Sequence, residues 1–420
     1  MGVRTQASAP PPRARPAGPG FGPTLVVVLV ALVLLLANGR PVGTPDVSGP
    51  ASWILRGANA SAGRAFTLDA AREALVGKAL AALFAALAAG ALFAAVARRH
   101  GLGEGRWAGF LLALGTTLAA AAQAWSGEAA ATCAVAVAAL LLVRSEEEAE
   151  PGPAVRAGLP LGLAVVLQPS TVVLALVLVG AVIVRWRREG LLALAWVAPG
   201  GLLALAFLLA SPAAPSLTLS GATATRLLAL LASPAKGAFV FAPVALVGIA
   251  GLGRALRAPA GRLWDQPQPS RLLPAAFALA AAAHFAALAI FGGWATGDFW
   301  GPRGVAPAWP LILAFVPEGF ASLGIVASFL AVVSVAVQAL GAFTYDGRWD
   351  RLHRGPSGER REVAWSVADS PIVFQAREGM ARVGLPASGG RAPGARERAV
   401  TPAGATGSFV SFARSPPRPT

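Results

Sequence analysis

AGLPLGLAVVLQPSTVVLALVLVGAVIVRWRRE, residues 157–189, decides the fold class. It carries no charge between Arg156 and Arg185, and its one polar interruption is Gln168-Pro169-Ser170-Thr171. Water-soluble helices alternate polar and apolar faces; an uninterrupted apolar run of about 18 or more residues reads as a membrane span. This run is too long for one simple span. Pro169 breaks it, and arginines flank both ends. If both ends face the cytoplasm, the run is a hairpin. Its first arm, about 12 residues at 1.5 Å each, reaches only about 18 Å and is buried among other helices or enters the bilayer partway.

The same signature recurs outward in both directions. GPTLVVVLVALVLLLANG, residues 22–39, gives a first span over roughly 23–38, read as an uncleaved signal-anchor; a cleaved signal peptide is the rival reading. Further spans are expected near 74–97, 107–125, up to Arg144, 190–210, 238–252 and 272–291, with two more in VAPAWPLILAFVP and SLGIVASFLAVVSVAVQALGAF. The expectation is an all-α polytopic membrane protein with about eleven transmembrane helices, outer-face loops and a short polar C-terminal tail. Residues 1–20, rich in Pro, Gly and Arg, form a disordered cytoplasmic leader. Residues 21–342 form the multi-span domain, with outer loops at about 39–73, 211–236 and 292–304. Residues 343–420 form an extracytoplasmic, partly disordered tail, in which 361–384 has the pattern of a short helix lying on the membrane. Arg98 and Arg99, Arg185 to Arg188, and Arg254 to Arg271 set the orientation by the positive-inside rule.

Composition agrees. Hydrophobic residues make up 55% of the 420 and charged residues only 13%, against roughly 25% charged in soluble domains. The net charge of +15 sits in loops between apolar runs, not in a basic stripe with interleaved aromatics, so nucleic acid is excluded as a partner. The single cysteine, Cys133, cannot form an internal disulfide. No His/Cys metal spacing, phosphate-cradling glycine loop or GxSxG nucleophile motif occurs. Only two lysines survive an arginine-dominated composition, Lys78 and Lys236; Lys78, near the start of its span, is placed to snorkel outward. His284 lies within a span and reads as a satisfied buried histidine.

One polar segment interrupts the apolar pattern. GGWATGDFWGPRG, residues 292–304, puts two tryptophans, an aspartate and an arginine between two spans. It resembles a loop of the C-type glycosyltransferase superfamily, in particular bacterial relatives of the protein O-mannosyltransferases. The matching residues are Trp294, Gly297, Trp300, Gly301, Pro302 and Arg303, with Thr296 replacing a glycine. LASPAKGAFVFAP, residues 231–243, is similar to the family's Ser-Pro, basic, Gly segment through Ser233, Pro234, Lys236, Gly237 and Pro243. ANGRPVGTPD, residues 37–46, places Asp46 just after the first span, and GLAVVLQPS, residues 162–170, resembles a hairpin turn in which Gln168 stands where Arg or Lys is common.

The resemblance implies a polyprenyl-phosphate sugar as donor, transfer at the outer face of the bacterial cytoplasmic (inner) membrane, and a glycan, lipid or protein as acceptor. It implies Asp46 as the catalytic base, Lys236 and Arg303 as ligands of the donor phosphate, and Trp53, Asp69, Trp294, Asp298 and Trp300 as sugar or site contacts, the tryptophans having the interfacial belt as their alternative. No protein metal site is expected; the cofactor is left undetermined, a divalent cation being compatible with the family. Three features depart from the family: a short first outer loop, the turn WSGE at 125–128 where a histidine-bearing turn is frequent, and a single tyrosine, Tyr345. They describe a shortened, partly degenerate member. Two alternatives to an active transferase follow, a catalytically inactive relative and a transporter or scaffold for lipid-linked glycans.

Overall fold

The computed structural model describes residues 20–37, 51–63, 70–210, 222–257, 271–291, 299–353 and 364–382, and every regular element among them is helical. In chain order these are α1 (Phe21–Leu36), α2 (Ala51–Gly63), α3 (Ala70–His100), α4 (Leu102–Leu114), α5 (Leu118–Ala121), α6 (Gly127–Glu148), α7 (Pro151–Arg156), α8 (Gly158–Leu167), α9 (Val172–Trp186), α10 (Arg188–Ala210), α11 (Ala222–Ala232), α12 (Ala238–Phe241), α13 (Val244–Arg257), α14 (Leu272–Phe291), α15 (Trp309–Leu313), α16 (Val316–Leu323), α17 (Ile325–Thr344), α18 (Arg348–Leu352) and α19 (Pro371–Arg382). Among the described residues six helices are long and apolar enough to cross a membrane, or seven if one bent pair counts as a single span. The protein is a multi-pass helical membrane protein. The chain divides into two compact units, Met1–Ala376 and Arg377–Thr420, and all the described residues of the candidate site lie in the first.

The break expected at Gln168 and Pro169 is present: α8 ends at Leu167, a 3-10 turn spans Pro169–Thr171, and α9 follows. Two stretches expected as unbroken spans are instead interrupted. In 107–125, α4 stops at Leu114 and only the four-residue α5 follows. Thr116 returns its hydroxyl to the Leu112 carbonyl at 2.7 Å and accepts from the Leu118 N–H at 3.2 Å, while Ser334 of α17 donates to the Gly115 carbonyl at 2.7 Å. Side chains thus replace helical hydrogen bonds at the break, as a Thr-Thr pair after glycine permits. In 238–252, Pro243 separates α12 from α13, since proline cannot continue the hydrogen-bond ladder.

The interior is built from alanine and glycine. Without a hydrophobic drive between helices in lipid, small residues that let backbones approach supply the packing. Gly251 and Gly319 bring α13 and α16 so close that a Cβ on either would strike the other helix's backbone. Large apolar side chains such as Ile325, Phe329 and Val332 of α17 remain exposed, which suits a lipid-facing surface.

Ion pairs mark the two ends of the bundle. At one end Arg98 of α3 contacts Glu147 at 2.9 Å and Glu148 at 3.1 Å, Arg185 of α9 lies 3.7 Å from Glu146, and His100 lies 3.2 Å from Glu318. At the other end, where α6 begins, Arg303 meets Glu128 at 3.3 Å. Arg303 and Glu318 therefore sit at opposite ends of α6, whose 22 residues extend about 33 Å at 1.5 Å per residue. The bent pair 303–313 and 316–323, angled at 74°, runs the depth of the bundle. It is a broken crossing and not a loop that dips in and returns.

Candidate functional site

The segment 299–304 is fixed from several sides. Gly301 has φ of +74°, the left-handed region that glycine tolerates and side chains resist. A Cβ there would also come within 2.8 Å of the Phe241 ring. Trp300 is 3% exposed. Its indole N–H donates to the Val337 carbonyl at 3.1 Å. Its ring packs edge-on to Phe241 at 5.1 Å and against Tyr345 at 5.6 Å. Gly341 of α17 leaves the space that the indole fills. Farther along, the Gly304 carbonyl accepts from Gln168 Nε2 at 2.8 Å and lies 3.0 Å from His284 Nε2, while His284 Nδ1 lies 3.2 Å from the Ser170 carbonyl. The chain break at Gln168 and the buried histidine of α14 thus both serve to hold this loop.

Held in this way, the loop presents Arg303, 7% exposed. Its guanidinium carbon stands 3.2 Å from the centroid of the Phe299 ring, a cation–π stack. Its Nε faces Glu128 Oε1 across 3.3 Å. Glu128 occupies the first turn of α6, where the helix dipole favours a negative charge. Beside this pair two buried polar atoms, Glu128 Oε2 and Ser126 Oγ, have no hydrogen-bond partner among the described residues. Buried polar atoms are normally paired, so these two mark a place where a water, an ion or a ligand group would be stabilised.

Lys236 is equally buried at 2% exposure. It lies in the turn between α11 and α12, where Ser233 Oγ accepts from the Ala235 and Lys236 N–H groups at 3.1 and 3.3 Å and donates to the Ala364 carbonyl at 2.7 Å. Lys236 Nζ pairs with Asp350 Oδ1 at 3.0 Å and donates to the Phe299 carbonyl. The second Asp350 oxygen accepts from the Tyr345 hydroxyl. Lys78 does not snorkel. Because α3 begins at Ala70, Lys78 falls in its third turn and is 2% exposed, next to Gly77, which packs closely on Trp125.

The structure therefore brings together Arg303 and Lys236, which touch Phe299 from ring and backbone respectively, with Trp300 between them in sequence. Trp53 lies on α2 and is 51% exposed. Asp46, Asp69, Trp294 and Asp298 lie outside the described residues. Of the acids that face the two cations, the sequence places Glu128 among the charged residues of the outward loops without giving it a role, and does not single out Asp350. The only available signal was that each lies at the same expected membrane face as its partner. Among the described residues no group of three or more His, Cys, Asp or Glu side chains could hold a metal ion.

No family profile and no curated protein matches the chain. Among solved structures it is similar to the crystal structure of ArnT from Cupriavidus metallidurans bound to undecaprenyl phosphate, at 17% identity over 86% of this chain and 78% of that chain, with a TM-score of 0.44.

Proposed function

We propose that the chain is an integral-membrane protein of the C-type glycosyltransferase superfamily, related to the protein O-mannosyltransferases, that transfers a sugar from a polyprenyl-phosphate donor. The observation that carries this is the buried Arg303 stacked on Phe299, facing Glu128, with Glu128 Oε2 and Ser126 Oγ unsatisfied beside it. These polar groups gather at one end of an apolar helical bundle, where a lipid-borne phosphate arrives. A guanidinium grips phosphate through paired donors, and charge developing on the leaving phosphate is stabilised by fixed cations. Arg303 takes that role, Glu128 orients it, and Asp46 removes the proton from the acceptor hydroxyl. Lys236, tied to Asp350 and to the Phe299 carbonyl, supports the phosphate site through the loop it holds. Trp53, Asp69, Trp294 and Asp298 complete the sugar side, while Trp300 anchors the loop.

In the same reading the chain crosses the bacterial cytoplasmic membrane about eleven times. The leader lies inside; the loops at 39–73, 211–236 and 292–304, together with the tail after 342, lie outside. The acceptor is a glycan, a lipid or a protein. One observation favours the inactive relative: both expected phosphate ligands already face buried or half-buried carboxylates. The test is transfer of labelled sugar from polyprenyl phosphate by purified wild type, Asp46→Asn and Arg303→Ala. Turnover in wild type alone supports the transferase. Binding of the donor by wild type without turnover would support the inactive relative.

A further inference from the structure

The tail after α17 reads as a polar appendage in sequence, yet its first residues are among the most enclosed in the chain. Asp350 and Trp349 are fully buried and Tyr345 is 5% exposed. Trp349 Nε1 donates to the Asp369 carbonyl at 2.6 Å, folding the tail back on itself, and Ser233 of the Lys236 turn reaches the Ala364 carbonyl. A buried ion pair is weak evidence of stability, because apolar residues of the same volume often do as well or better; its best-attested use is to specify one arrangement among several. What the Lys236–Asp350 pair specifies is visible in its third partner. Lys236 Nζ also holds the carbonyl of Phe299, and the Phe299 ring carries Arg303.

We propose that Asp350 and Tyr345 are positioning residues for Arg303. They act in sequence: the Tyr345 hydroxyl fixes the Asp350 carboxylate, Asp350 fixes the Lys236 ammonium, Lys236 fixes the Phe299 backbone, and the Phe299 ring sets the guanidinium against Glu128. Trp300, packed against the Tyr345 ring, adds a second link from the tail to the loop. The tail segment is thereby part of the donor-phosphate site without touching the donor. The proposal rests on the reading of Arg303 as the phosphate ligand.

The experiment uses the full chain in lipid nanodiscs, with polyprenyl phosphate as probe and the phosphate-free polyprenol as control. Affinity and amide hydrogen exchange are measured for wild type, Asp350→Asn, Asp350→Glu and Tyr345→Phe. In Asp350→Asn, exchange should rise at 299–308 and stay unchanged in α9, and affinity for polyprenyl phosphate should fall about tenfold with no change for polyprenol. Asp350→Glu should recover part of both effects. Tyr345→Phe, which keeps the ion pair, should show the same changes more weakly and serves if Asp350→Asn does not fold. Loop exchange or phosphate affinity equal to wild type in a folded Asp350→Asn protein would overturn the proposal, as would exchange raised throughout the chain. Wild type that does not distinguish polyprenyl phosphate from polyprenol would instead sink the donor reading, and the exchange arm alone would then decide whether Tyr345, Asp350 and Lys236 hold the Arg303 loop.

Discussion

Removing Asp350 leaves an ammonium group with nowhere to go. Lys236 is 2% exposed and Asp350 fully buried, so neither can turn to water without opening the turn between α11 and α12. Breaking such a pair from one side costs about 3–5 kcal/mol, because the remaining charge stays buried. Asp350→Ala and Lys236→Met should each destabilise by that order. Replacing both partners, as Lys236→Met with Asp350→Leu, removes both desolvation penalties and should return the protein to within about 1–2 kcal/mol of wild type. The coupling energy between the sites should then exceed about 2 kcal/mol. The assay is reversible unfolding by sodium dodecyl sulfate in mixed micelles, read by far-ultraviolet circular dichroism, for all four proteins. Single variants costing under about 1 kcal/mol, or a double variant whose cost is the sum of the singles, would refute the claim that this ion pair is buried and mutually dependent.

Gly341→Ala should destabilise by about 1–3 kcal/mol, since the new methyl meets the Trp300 indole in a packed cluster; thermal unfolding in detergent checks this, and a wild-type midpoint would show that Trp300 is not wedged there. Gln168→Ala should cost about 1–2 kcal/mol by leaving the Gly304 carbonyl with a partner fewer, read in the same unfolding assay. In a Cys133→Ala background, thiols introduced by Trp186→Cys and by Trp53→Cys should be labelled from opposite sides of sealed vesicles, and labelling of both from one side would contradict the two-ended arrangement of ion pairs.

The apolar runs behind α3, α6, α9, α14 and α17 were legible because hydropathy over some 18 residues is a local property. The break at Gln168 was legible because proline announces it. The interruption at Gly115–Thr117 was not, since it sits inside an apolar run and depends on Ser334 from a distant helix; Pro243 carries the same signal as Pro169, but the apolar residues on both sides of it read as one span. At the candidate site, Arg303 and Lys236 were legible through the resemblance of their segments, 292–304 and 231–243, to family loops. Their pairing with carboxylates was not. Glu128 stood in a short turn where another residue was expected, and Asp350 stood in a tail read as polar and partly disordered. Pairing across more than a hundred residues leaves no trace in one sequence. Trp300 shows the same limit: an aromatic beside an outer loop suggests sugar or interface, whereas Gly341 and Phe241 enclose it.

Photo-crosslinking shows whether the Arg303 end of the bundle receives a lipid-borne phosphate. A polyprenyl phosphate carrying a photoreactive group next to the phosphate is irradiated with the full chain in nanodiscs, and the modified peptides are mapped by mass spectrometry. Crosslinks should fall on 299–308 and on the start of α6 around Ser126 to Glu128, and should be lost in Arg303→Ala while the protein stays folded. Crosslinks confined to the opposite end, around Arg98, Glu147 and Arg185, or unchanged by Arg303→Ala, would place the phosphate elsewhere.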